Sequence, residues 1–154
     1  MKRLRLPPRF TILLGLLLSS GCGGNEPAPV KLPATVPVSG TVKLDGKPLA
    51  GAKVIFITTA AKSFGAEGVT NSEGLYELSV SIGSQDAKGA IPGNYNVRIS
   101  RFLAPDGTPQ DTSKPQEIPG MESLPSRYSD SSQTTLTATV PAGGGTLDFD
   151  LNSK

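Results

Sequence analysis

From Val38 onward the chain alternates, with Val38, Gly40, Val42 and Leu44 set against Ser39, Thr41 and Lys43. A period of two sends one set to each face of a strand, so this stretch is a half-buried strand. Asp45-Gly46 and Pro48 to Gly51 supply turn chemistry, and the continuous β-branched and aromatic run Val54 to Thr58 predicts a second strand. Gly68-Val69-Thr70 leads into the tight turn Asn71-Ser72-Glu73-Gly74, where Gly74 is able to take positive φ, and Leu75 to Val80 then sets Tyr76, Leu78 and Val80 on one face. Ile91-Pro92-Gly93 introduces a strand from Tyr95 to Phe102, with Val97 and Ile99 inward and Arg98 and Ser100 outward. Thr134 to Val140 buries Leu136, Ala138 and Val140, and Thr146 to Leu151 buries Leu147, Phe149 and Leu151. The expectation is an all-β domain of seven short strands. Nothing in it has a helical period, and short strands separated by turn signals argue for a sandwich rather than a βαβ fold.

One stretch breaks this rhythm. Leu103 to Arg127 carries Pro105, Pro109, Pro115, Pro119 and Pro125 with Gly107 and Gly120, so neither a helix nor a central strand persists through it without losing backbone hydrogen bonds. It is expected to be an irregular loop outside the core with no hidden element, and loops of this length are commonly functional or easily cut. Tyr128 follows it directly, placed either to pin the loop to the sandwich or to present a contact surface.

Ahead of the sandwich the pattern changes twice. Lys2, Arg3, Arg5 and Arg9 precede an apolar run from Phe10 to Leu18 and then Ser19, Ser20 and Gly21, the order of a secretory signal peptide. The run is far short of the roughly 20 residues a membrane-spanning helix needs. Leu18-Ser19-Ser20-Gly21-Cys22 resembles the bacterial lipobox, which implies that Cys22 is acylated and becomes the first residue of the mature chain. Ordinary cleavage after Gly21, releasing a soluble protein with a free thiol, is the alternative, since Ser19 and Gly21 also fit a small-x-small site. Cys22 is the sole cysteine and sits among glycines with no partner for an intrachain disulfide, which favours acylation. Several acyl chains, each gaining about 0.8 kcal/mol per buried methylene, would make the anchor stable. Gly23 to Val36, with Pro27, Pro29 and Pro33, reads as a tether reaching about 40 Å when extended at roughly 3.1 Å per residue. The domain plan is therefore signal peptide 1–21, lipidated cysteine and tether 22–36, and sandwich 37–154.

Composition narrows the function. The 15 Lys and Arg include four in the leader, leaving 11 against 13 acidic residues, so the exported part is mildly acidic at −2 and has no basic cluster to hold nucleic acid. The absence of histidine removes Ser-His and Cys-His nucleophile pairs and the usual zinc ligands. Asp148 and Asp150 share one strand face roughly 7 Å apart, a spacing compatible with a glycosidase pair, but an outer solvated face opposite Leu147 and Phe149 accounts for them. Asp106, Asp111, Glu117 and Glu122 lack the tight spacing of a calcium loop and read as solvated carboxylates. No catalytic residue and no cofactor are expected.

Taken in order, Val38-Ser39-Gly40-Thr41-Val42-x-Leu44-Asp45-Gly46-x-Pro48-Leu49-x-Gly51-Ala52-x-Val54, Thr70-Asn71-x-x-Gly74-x-Tyr76 and Pro92-Gly93-x-Tyr95-x-Val97 resemble the carboxypeptidase regulatory-like, transthyretin-like domain. Leu124-Pro125-x-x-Tyr128, followed by Leu136 to Val140, is similar to one-domain bacterial lipoproteins of that group. The resemblance implies a seven-stranded Greek-key, prealbumin-like sandwich without catalytic residues. The function expected is a binding, adhesion or structural module of the cell envelope, held to a membrane through Cys22 and meeting another envelope protein or polymer. The alternative is a small extracytoplasmic binding protein for a carbohydrate or metal ion.

Overall fold

The computed structural model describes residues 33–60, 64–111, 115 and 119–154. The signal peptide, Cys22, most of the tether and Glu117 lie outside the described residues.

The alternating stretch forms β1 (Val38–Leu44), with Val38, Gly40 and Val42 buried. Asp45 and Gly46 both take positive φ, 51° and 77°, which suits a two-residue hairpin turn, and β2 (Lys47–Pro48) returns antiparallel beside β1. The chain then crosses to a second sheet through β3 (Lys53–Thr58) and β4 (Ala66–Val69). There Phe56 and Val54 enter the core while Lys53 bonds Glu67 across the outer face at 3.0 Å.

The strand expected from Leu75 to Val80 is two strands. β5 (Leu75–Glu77) pairs with β1, and β6 (Ser79–Ile82) pairs with β4 in the other sheet. Leu78 is the crossing point. Its N–H donates to Val38 O at 3.0 Å, and its carbonyl accepts from Gly89 N at 2.6 Å. The predicted inward set Tyr76, Leu78 and Val80 is buried throughout, because the side-chain alternation continues while the hydrogen-bonding partner changes.

β7 (Gln85–Lys88) has no counterpart in the sequence pattern. Gln-Asp-Ala-Lys has no apolar alternation, and the strand exists because the Gly83-Ser84 turn folds it back along β6. β8 (Gly93–Ser100) follows, with Tyr95, Val97 and Ile99 inward; Ser100, expected outward, is also buried. The remaining elements are β9 (Phe102–Leu103), β10 (Met121–Glu122), a single helical turn α1 (Ser126–Ser129), β11 (Thr137–Val140), β12 (Gly145–Thr146) and β13 (Phe149–Leu151).

The all-β expectation stands. One sheet is antiparallel in the order β11-β8-β3-β4-β6-β7. The other is built on β1, with β2 and β5 antiparallel along one side and β12 and β13 parallel along the other. The described residues form thirteen strand segments rather than seven uninterrupted strands, because strands change sheet or have their ladder interrupted by a side chain.

The 103–127 segment also departs from expectation. β9 and β10 form a two-residue ladder, and Leu124 and Tyr128 belong to the core cluster. Their spacing of four places both on one side of the α1 turn, so a short helical turn buries two side chains where the prolines forbid anything longer.

Phe56 lies 5.6 Å from Tyr95 and 6.1 Å from Phe149, which in turn lies 6.4 Å from Tyr76. Tyr76 shows why β1 has glycine at position 40. A Cβ there would overlap the Leu147 carbonyl and crowd the Tyr76 ring, whose hydroxyl donates to that carbonyl at 2.5 Å. Burial raises the Tyr76 phenol far above its ordinary pKa, with Asp148 adding to the effect, so the hydroxyl remains a donor.

Candidate functional site

Three of the carboxylates singled out in the sequence, Asp148, Asp106 and Glu122, accept from backbone N–H groups. Asp148 Oδ1 accepts from Thr41 N–H at 2.7 Å, replacing a carbonyl in the gap between β12 and β13. Asp150 is exposed in register with Lys43. Asp106 Oδ1 accepts from the Thr108 hydroxyl at 2.7 Å and its N–H at 2.9 Å, and these bonds hold its pKa below the usual carboxylate value. Glu122 Oε1 accepts from Arg101 N–H at 3.0 Å and Leu124 N–H at 2.9 Å, which bends the chain from β10 toward α1. Among the described residues no three His, Cys, Asp or Glu side chains gather in a way that could hold a metal ion.

Tyr128 joins the core cluster with Leu124. It is 9% exposed, and its ring is covered by the Arg127 guanidinium 4.8 Å from the centroid. Its hydroxyl accepts from Asn152 N–H at 3.3 Å, while Arg127 Nη2 donates to the carbonyls of Asn152 at 2.5 Å and Lys154 at 2.6 Å. The bond from Arg127, then the one from Asn152, lowers the Tyr128 pKa. Since α1 also packs on β8, Tyr128 ties the edge of one sheet to the other.

What remains open on this segment is a hollow of about 460 Å³ lined by Leu103, Ala104, Pro105, Gly107, Pro119, Met121, Glu122 and Ser123. Its lining includes both strands of the β9–β10 ladder, with Leu103 opposite Met121. Gly107, also in the lining, takes φ 82° and donates to Ala104 O at 2.8 Å. Met121 is 79% exposed, the most open large apolar side chain described. Apolar walls with few polar groups suit an apolar contact rather than a charged or metal ligand. The sequence pointed to this loop but not to Met121, because one methionine between Gly120 and Glu122 has no period to betray it.

Strand directions place the hollow. β5 runs against β1 and continues into β6, β6 runs against β4, β4 against β3, and β3 against β8. β8 therefore runs in the same sense as β1, so the chain beyond Ser100 lies at the end opposite Val38. Contact between Pro109 and Gly51, just beyond the β2 return, puts the segment at that same end. The tether side of the chain joins at the other end, where Val36 bridges Ala90.

Compared with known proteins, the chain matches no protein-family model, no curated protein and no solved structure.

Proposed function

We propose that this chain is an exported lipoprotein, anchored to a bacterial membrane through Cys22, whose β-sandwich is a non-catalytic contact module of the cell envelope. The observation that carries the reading is positional. A signal peptide, a lipobox-like cysteine and a Pro-rich tether precede β1 in the sequence, and the apolar hollow around Met121 lies at the far end of the sandwich from that junction. An anchored module needs its contact surface away from the membrane, and this arrangement supplies it. The partner on this reading is an envelope protein or polymer with an apolar contact, not nucleic acid.

The first strand lies beside the last ones, and β3 pairs with β8 across four intervening strands. Both support a Greek-key, prealbumin-like sandwich of the carboxypeptidase regulatory-like kind.

Metabolic labelling with an alkyne fatty acid tests the anchor. Label is expected on the wild-type chain and absent from Cys22→Ser, because the thiolate is the group that attacks the lipid donor; equal label on both would overturn the reading. A photo-crosslinking residue at Met121 should give envelope adducts that the same residue at Lys88 does not.

A further inference from the structure

The four outer edges of the two sheets are not alike. β7 carries Asp86 and Lys88, β2 carries Lys47 and Pro48, and the β12–β13 edge carries Asp148 and Asp150. Charges and proline are the ordinary means of keeping an edge from pairing with another strand. β11, at the end of the six-stranded sheet, has none of them. From Thr134 to Val140 the sequence is Thr-Thr-Leu-Thr-Ala-Thr-Val, uncharged, mostly β-branched and free of glycine and proline.

The backbone of this edge faces outward at known positions. Val97 N–H donates to Leu136 O at 2.8 Å, while Leu136 N–H reaches Val97 O through the Thr134 hydroxyl, so Leu136 stands at a position whose backbone faces β8. The register runs on as Thr137 opposite Asn96, Ala138 opposite Tyr95 and Thr139 opposite Asn94. In an antiparallel ladder the bonding alternates, so the N–H and C=O groups of Thr137 and Thr139 point away from β8. Leu136 and Ala138 pack against the core but remain only half-buried, and among the described residues no strand lies beyond them.

We propose that β11 pairs antiparallel with β11 of a second copy of this chain, with Ala138 at the two-fold axis. Leu136-Thr137-Ala138-Thr139-Val140 reads nearly the same in both directions, which is what an isologous pairing requires. Thr137 then stands opposite Thr139 of the second copy, and the reverse, giving about four backbone hydrogen bonds from the groups that now face outward. Leu136 stands opposite Val140 and Ala138 opposite itself, extending the apolar inner face across the junction. The threonines meet on the outer face, a favourable cross-strand pair, and no like charges oppose one another. The pairing stands on this edge alone and is independent of acylation at Cys22. Its contact area falls well under about 1,200 Å², the weak and transient class, so it is a reversible association.

The test is sedimentation velocity of the full chain in detergent at protein concentrations up to about 1 mM, a range suited to a weak interface. Wild type and Cys22→Ser should show the same monomer–dimer equilibrium. Thr137→Lys with Thr139→Lys sets like charges opposite each other twice and should weaken the dimer at least about tenfold. Thr137→Lys with Thr139→Glu sets opposite charges at the same places and should keep it. Equal melting temperatures show that both variants fold, as expected for exposed side chains. A monomeric wild type across this range, or equal weakening by both double variants, overturns the proposal; dimer lost only in Cys22→Ser overturns it too, by assigning the association to the lipid.

Discussion

The turn at 70–75 and the return at 101–124 do the same job by different means. In the first, every bond is local or to the neighbouring hairpin. Asn71 Oδ1 accepts from Glu73 and Leu75 N–H, both at 2.9 Å, and Gly74 N–H donates to Asn71 O at 3.0 Å. The Thr70 hydroxyl, buried, donates to Leu49 O at 2.6 Å and accepts from Ala52 N–H at 2.8 Å. In the second, the described residues include a local turn, with Gly107 N–H donating to Ala104 O, and contacts between distant positions: Gln110 N–H on Phe102 O, Ser123 N–H on Arg101 O, the Glu122 carboxylate, the β9–β10 ladder and the Leu124 and Tyr128 side chains. A turn built from its own side chains is as rigid as its residues. A return held at separated points leaves surface between them, and that is where the hollow forms.

Substitutions separate the frame from the two connections. Gly40→Val strikes the frame that both depend on, forcing a side chain into the Leu147 carbonyl and displacing the Tyr76 ring; a loss of about 4 kcal/mol is expected in denaturant titration. Tyr128→Ala removes the pin of the long return and should cost about 3 kcal/mol. It should also speed limited proteolysis between Asp106 and Glu122, while the wild-type fragments stay associated through the strands after nicking. An unchanged cutting rate would mean that the return is held without α1.

Gly74→Val addresses the short turn. Gly74 sits at φ 75° with the Val42 carbonyl too near for a Cβ, so a loss of about 2 kcal/mol is expected, without any change in proteolysis of the 106–122 segment. The smallest effect is local to the hollow. Asp106 has its pKa held below 3.8 in the folded protein by Thr108, so its contribution is complete above that value and disappears as pH falls through the folded pKa. The Thr108 amide resonance should titrate with a midpoint below 3.8 in wild type and stay flat in Asp106→Asn.

The difference between the two connections also decided what was legible. Asn71 and Gly74 announce their turn in four residues, as Asp45-Gly46 announces the β1–β2 hairpin, and the alternation marked the apolar inward residues of β1 and β8 but not the buried Ser100 at the end of β8. β7 was hidden because backbone pairing alone holds it, with no apolar period to mark it. The split at Leu78 was hidden for the opposite reason, since its apolar period continues across a change of partner. In the long return, the five prolines gave no sign of a ladder two residues long or of a helix of one turn, the elements found among its described residues. The carboxylates looked like candidates for chemistry because sequence shows charge but not the backbone N–H groups that Asp148, Asp106 and Glu122 accept from.

β1 has a mechanical meaning as well. It is the strand nearest the N-terminal segment, and it has neighbours along both sides, β12 and β13 on one and β2 and β5 on the other. A pull on the chain ahead of Val38 acts along the strand axis, so the ladder bonds on both sides share the load in shear instead of opening one after another. How long the sandwich survives such a pull is then governed by the rate at which that whole set of bonds yields together, rather than by the equilibrium stability of the domain.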